Sequence, residues 1–220
     1  YYPSLPAGMG QNDIGLNRGD LGPESVVSFQ RVGPRILMVE PNYGYRAVSD
    51  DPLERKSVED GFPTSVLWGF EVAAEAGDAV LVDATDFFLR DAHGVVTTLR
   101  RSNQGTYRLE TSRSAIYLPR TRAFPKNTEV EVTLTFTTDQ PGALVRSVTP
   151  KGEALTVRQH HSFVELPTEP FAMRKADPRA GFNGIGFMDY ATPLGEPLQK
   201  QYIARHRIEK KNPGAAMSEP

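Results

Sequence analysis

Thr128-Glu-Val-Glu-Val-Thr-Leu-Thr-Phe-Thr-Thr138 decides the fold class. Side chains alternate across a β-strand, so Val130, Val132, Leu134 and Phe136 share one face, and Glu129, Glu131, Thr133 and Thr135 share the other. The first face is apolar throughout and is expected to be core. The second is charged at its start and Thr-rich beyond, and is expected to face water.

Similar signals lie on both sides of this strand. Ser25-Val-Val-Ser-Phe-Gln-Arg-Val32 and Arg35-Ile-Leu-Met-Val-Glu40 flank the turn signal Gly33-Pro34 and predict a hairpin. Gly69-Phe-Glu-Val-Ala-Ala-Glu75 and Ala79-Val-Leu-Val-Asp83 flank a second turn at Ala76-Gly77-Asp78. Asp86-Phe-Phe-Leu-Arg-Asp91, Tyr107-Arg-Leu-Glu-Thr111, Ser114-Ala-Ile-Tyr-Leu118, Ala154-Leu-Thr-Val-Arg158 and His161-Ser-Phe-Val-Glu-Leu166 add further strands. One helix is predicted over 49–60, where Asp50 or Asp51 caps the start and Pro52 suits the first turn. A second short helical piece is expected at 64–68. The expected architecture is mostly β or α+β, an antiparallel sheet of sandwich or barrel type with one or two short helices. Residues 1–24 are expected to be irregular, 25–166 to form a β-rich core domain, and 167–220 to be a loop-rich C-terminal segment.

Composition narrows the function classes. A chain of 220 residues with a net charge of −2 and interspersed charges carries no nucleic-acid footprint. No apolar run approaches the roughly 18 residues that a membrane-spanning helix needs. The absence of Cys excludes thiolate metal sites and Cys nucleophiles. The His-Glu-x-x-His pair, the P-loop and the Gly-x-Ser-x-Gly elbow are all missing, so no catalytic residue is assigned.

His160 and His161 are the first side chains to weigh as metal ligands, with His206 a distant third. Adjacent strand residues face opposite sides, and a zinc site needs three or four convergent ligands. The expectation is structural hydrogen bonding and no metal site, with a small metalloenzyme using His160, His161 and His206 as the alternative. Glu54, Glu59, Asp60, Asp83, Asp86 and Asp91 are expected at helix surfaces and strand ends. Arg113 and Arg122, near Phe124-Pro125, suit a carboxylate or phosphate clamp, or equally the tying of loops through carbonyls. Asp177 and Arg179 lie in an exposed turn, and Arg205, His206 and Arg207 begin a basic strip. Tyr43, Tyr45 and Tyr107 are candidates for a stacking platform that would serve a stand-alone peptide- or glycan-binding module.

Several stretches in order resemble one bacterial family. They are Gly10-Gln-Asn-Asp-Ile-Gly-Leu-Asn-Arg-Gly19, Phe29-Gln-Arg-Val-Gly-Pro-Arg35, Ser65-Val-Leu-Trp-Gly-Phe70, Arg113-Ser-Ala-Ile-Tyr117, Arg120-Thr-Arg-Ala-Phe-Pro-Lys-Asn-Thr-Glu129, Gln159-His-His-Ser162, Asp177-Pro-Arg-Ala-Gly181 and Arg205-His-Arg-Ile-Glu-Lys-Lys211. Together they resemble the DUF5117 domain found at the N-terminal side of zinc-dependent, metzincin-like metalloproteases. The resemblance implies an exported parent, periplasmic or extracellular, whose zinc and catalytic residues lie in a following domain. Both ends of the chain are then expected to be junctions. The resemblance puts no zinc ligand and no cofactor on this chain. Its implied partner is the parent's own protease domain, with peptide substrate as a further one. Asp177, Arg179, Tyr190, Arg205, His206 and Arg207 are the expected interface.

Overall fold

The structure is a computed structural model that describes residues 1–168, 172, 174–177, 179 and 184–203. In chain order, the first strands are β1 (Tyr2–Ser4), β2 (Ser28–Val32), β3 (Arg35–Glu40), β4 (Tyr45–Arg46), β5 (Ser65–Ala76) and β6 (Ala79–Val82). They are followed by β7 (Arg108–Leu109), β8 (Ala115–Ile116), β9 (Arg122–Phe124), β10 (Asn127–Thr137), β11 (Ala154–Val164), β12 (Gly184–Asp189) and β13 (Gln199–Ile203). The helices are α1 (Pro52–Gly61), α2 (Thr85–Phe88), α3 (Val95–Arg101) and α4 (Ala143–Val148). The fold is mostly β with antiparallel sheets, as the alternation predicts, and it has four short helices among the described residues.

Two compact units emerge, Tyr1–Pro41 with Ser65–Pro167, and Asn42–Thr64 with the described part of Thr168–Pro220. The first is built on the pairing of β10 with β11, in register from Asn127↔Val164 to Thr137↔Ala154. Val132, Leu134 and Phe136 are buried on one face with Leu155 and Val157. Leu5, Ile14 and Leu16 from the N-terminal segment, Val95 and Leu99 from α3, and Val145 from α4 close the same core. β1 flanks β11, while β7, β8 and β9 take turns along the free side of β10.

Two helices start on caps supplied by side chains that lie outside the helix's own N-cap position. Asp91 Oδ1 accepts from Gly94 and Val95 N–H, and Oδ2 accepts from Val96 N–H, which satisfies the opening turn of α3. Gln104 is buried, and its Oε1 accepts from Leu144 and Val145 N–H at the start of α4. Neither helix is signalled by an adjacent cap, and α3 is rich in Val and Thr, which favour strands. Residues 86–91 form no strand. α2 occupies Thr85–Phe88 instead, because Phe87 and Phe88 turn inward together onto the second core.

That second core lies beneath the β2-β3-β5-β6 sheet, where Met38, Phe70 and Phe87 are buried and Trp68 packs beside them. The two sequence-predicted hairpins are present, with Gly33 and Gly77 at φ 57° and 59° in the turns. Residues 65–68 belong to β5 rather than to a helix. The stretches 154–158 and 161–166 are one continuous strand through the His pair.

In the other unit, β13, β12 and β4 form a three-stranded sheet whose β4–β12 pair is parallel. Asp51 caps α1 through Leu53 N–H at 2.8 Å, and α1 buries no residue. Tyr45 and Phe62 stack at 3.9 Å between ring centroids, and Tyr190 leans on Phe62 at 5.4 Å.

If the dry face of β10 holds the first unit together, Leu134→Ala destabilises the chain by about 2–5 kcal/mol. Thr128→Ala, at an exposed position of the same strand, changes stability by less than about 0.5 kcal/mol. Urea unfolding followed by circular dichroism reads both, and equal midpoints for the two variants would contradict this core.

Candidate functional site

Pairing β10 with β11 places a row of polar side chains opposite the dry face. Glu131 stands across from His160, Glu129 from Ser162, and Ser4 of β1 from His160. Arg122 of β9 stands across from Glu129 on the other side. In-register neighbours share a face, so these side chains converge. Ser4, Pro6, Arg120, Arg122, Phe124, Glu129, Glu131 and His160 line a pocket of about 480 Å3.

The face read as solvated is therefore partly covered. Glu131 is 1 % exposed and Thr135 is also buried. The edge segment that carries β7, β8 and β9 lies over them: Tyr117 N–H donates to the Glu131 carbonyl, and Thr135 Oγ1 donates to the Arg113 carbonyl. Strand alternation gave the face correctly but could not reveal cover contributed from residues 14 to 22 positions away along the chain, from Tyr117 to Glu131 and from Arg113 to Thr135.

Glu129 is fully engaged. Its Oε1 accepts from Asn127 Nδ2 at 2.7 Å and from Ser162 Oγ at 3.0 Å, and its Oε2 accepts from His160 Nε2 at 2.6 Å. Glu131 is not. Arg158 Nε lies 3.1 Å from its Oε1, yet no donor is aligned on that oxygen. Its Oε2 is 3.8 Å from His160 Nδ1, beyond hydrogen-bond range. A buried carboxylate needs a counter-charge, and Arg158 supplies it while stacking on Tyr117 at 3.8 Å from the ring centroid. Arg120 and Arg122 have no side-chain partner among the described residues.

His161 points the other way and is fully buried. Tyr1 hydroxyl lies 2.9 Å from its Nδ1 and accepts from Arg90 at 3.1 Å. Its Nε2 lies 3.1 Å from the Phe88 carbonyl and 2.8 Å from Gln159 Nε2. Gln159 is oriented by His93 N–H, which donates to its Oε1, and by its own donation to the Arg90 carbonyl. A carbonyl and an amide NH2 thus compete for one ring nitrogen, and a neutral imidazole satisfies only one of them. Burial, helped by the Arg90 charge, pushes His161 down to about 3, and burial pushes the Tyr1 phenol up to about 12.

The two histidines therefore serve opposite faces and cannot bind one ion. The carboxylates near His160 meet different ring nitrogens, so they share no common point with it. Among the described residues no three His, Asp or Glu side chains are placed to hold a metal. His206 lies outside the described residues, as do Arg205 and Arg207. Asp177 and Arg179 form their own bidentate pair at 3.0 and 2.8 Å, and Arg179 holds the Asp177 carboxyl below its ordinary value. Tyr190 is half-exposed beside Phe62. Tyr107 is no platform residue: its ring is buried and its hydroxyl donates to the Gly152 carbonyl at 2.6 Å. Tyr43 and Tyr45 are exposed, with Arg46 lying over the Tyr43 ring.

The profile of a family described as a domain of unknown function (DUF5117) matches residues 19–211. The chain belongs to the DUF5117 family. No curated protein and no solved structure matches it. The family match takes in β2 to β13 and all of the pocket except Ser4 and Pro6, so the site is carried almost entirely by the DUF5117 domain.

The buried His161 makes DUF5117 stability pH-dependent in a defined direction. The unfolded chain takes up a proton below pH 6.5 that the native imidazole resists until about pH 3. This contribution is complete above pH 6.5 and is lost as pH falls toward 3, on the order of 4 kcal/mol in all. His161→Gln should flatten the decline of urea-unfolding free energy from pH 6.5 to about 5, above the range where carboxylates titrate. Parallel wild-type and variant curves in that window would refute the assignment.

Proposed function

We propose that this DUF5117 chain is a non-catalytic accessory domain of an exported zinc-dependent metallopeptidase and packs against the catalytic domain. The observation that carries the reading is apolar surface left open on a rigid sheet. Phe29 and Val32 on β2, Val66 on β5, and Val80 and Leu81 on β6 are exposed, with Leu81 at 64 %. Strand alternation puts Phe29 and Val32, and likewise Val80 and Leu81, on opposite faces, so the apolar exposure reaches both faces beside the outer strands. The strands that bear them also include both outer strands of that sheet, β2 and β6, each paired on one side only among the described residues, and an unpaired strand edge is a template for a partner.

The polar chemistry supports the same division of labour. Glu129 and His160 spend their hydrogen bonds on neighbours within the domain, and the described residues offer no set of three metal ligands. Zinc and bond cleavage belong, in this reading, to the following domain in a periplasmic or extracellular parent. Asp177, Arg179 and Tyr190 are exposed and remain interface residues in the proposal. Association of this chain with the separately expressed segment encoded after Pro220 tests it. The expected result is a complex at about micromolar concentration, weakened by Leu81→Asp. A stop codon after Pro220, or no association, would sink the reading.

A second reading is favoured by one observation. Tyr45, Phe62 and Tyr190 form a contiguous aromatic group at which Tyr45 is 38 % and Tyr190 45 % exposed. Such a surface suits stacking on a sugar ring or an apolar peptide side chain in a stand-alone binding module. A glycan and peptide array should then give saturable signal that Tyr190→Ala removes, and a blank array eliminates this reading.

A further inference from the structure

We infer that the pocket between β1, β9, β10 and β11 binds a small zwitterion of the amino-acid or peptide-end type, through its carboxylate and its N–H donors. This inference does not depend on a neighbouring peptidase.

The charges in the pocket do not balance locally. Glu129 Oε2 accepts from His160 Nε2 at 2.6 Å, and the Arg158 guanidinium lies 3.1 Å from Glu131. Arg120 and Arg122 also line the pocket, and neither meets a carboxylate among the described residues. Two guanidinium groups at one cavity wall, each a planar fork of donors, suit a carboxylate or phosphate. Glu129 and Glu131 line the same pocket. A singly charged carboxylate meets less repulsion there than a phosphate dianion does.

Glu131 supplies the second half of the recognition. It is 1 % exposed, it lines the pocket, and its Oε1 accepts no aligned hydrogen bond. A carboxylate has about four acceptor sites, and leaving them unused in a buried setting is costly. The Arg158 charge 3.1 Å away offsets that cost here. A ligand ammonium or amide N–H entering the pocket brings the missing donor close to this carboxylate. Arg122 stands across from Glu129 and diagonal to Glu131 in the sheet. Diagonal neighbours are roughly 7–8 Å apart at the backbone, a span that an extended Arg side chain and a small dipolar ligand fill together. Phe124, half-exposed at the rim, gives an apolar wall for a side chain.

Isothermal titration calorimetry of the whole chain with the dipeptide Gly-Phe, its C-terminal amide, free phenylalanine and inorganic phosphate tests this. Gly-Phe should bind saturably, and the amide about tenfold or more weaker, a difference of about 1.4 kcal/mol. Phenylalanine matching Gly-Phe would mark free amino acids as the source, and phenylalanine binding much weaker would mark peptide ends; both support the site. The exposed pair Arg120→Gln with Arg122→Gln should abolish binding while leaving the urea midpoint unchanged. Glu131→Gln should weaken the free-amine ligand more than N-acetylphenylalanine. The inference falls if no probe but phosphate saturates by about 10 mM, if the amide binds as well as the acid, or if the double arginine variant binds as wild type.

Discussion

The antiparallel pairing of Asn127–Thr137 with Ala154–Val164 is the constraint on which the first unit depends. Eleven consecutive residue pairs fix one register. Because side chains alternate, that register also fixes which groups are dry and which line the pocket. A slip by one residue would carry Val132 and Leu134 into the pocket and Glu131 into the apolar core. Neither outcome is tolerable, since an unpaired carboxylate in an apolar core is far more costly than a lost methyl contact. The pattern Glu-Val-Glu-Val-Thr-Leu-Thr-Phe thus specifies scaffold and site in a single stroke.

The partners of β10 divide the work. β11 supplies the imidazole that hydrogen-bonds Glu129 and the guanidinium that faces Glu131. The edge segment with β7, β8 and β9 covers those charges, and a guanidinium stacked on Tyr117 completes the cover. On the reverse side, His161, Gln159, Tyr1 and Arg90 form a polar seam in an otherwise aromatic setting, with Phe87 and Phe88 against the imidazole and Phe163 against the Tyr1 ring. Buried polar groups persist when most find partners; here the Nε2 of His161 is contested, and the buried Arg90 Nε has no hydrogen-bond partner among the described residues.

Much of the β architecture was legible in the sequence because the signals were local. Alternation marked β10, and turn glycines marked both hairpins. Asp51 and Pro52 marked α1. Where the determining contact was remote, local reading failed. The caps of α3 and α4 come from Asp91 and from Gln104, the latter 40 residues before Leu144. Thr and Val in α3 argue for a strand until Val95 and Leu99 are seen in the core. Phe87-Phe88 looked like strand for the same reason. The opposed directions of His160 and His161 followed from strand geometry alone. The burial of Glu131 and Tyr107 did not, because it depends on segments folding over them. Arg122 stood out in the sequence beside Arg113, for a clamp or for tying loops, but its company with Arg120, Glu131 and His160 required the sheet order.

One consequence follows from the neighbouring histidines facing opposite ways. Along 158–162, residues that shape the pocket alternate with residues that hold the core, so each position answers to one demand. A change at Arg158 or His160 is felt on the outer face, where Glu131 and Glu129 lose their partners, while Gln159 and His161 answer only to the inner one. The strand is in effect a two-sided ribbon with a separate text on each side.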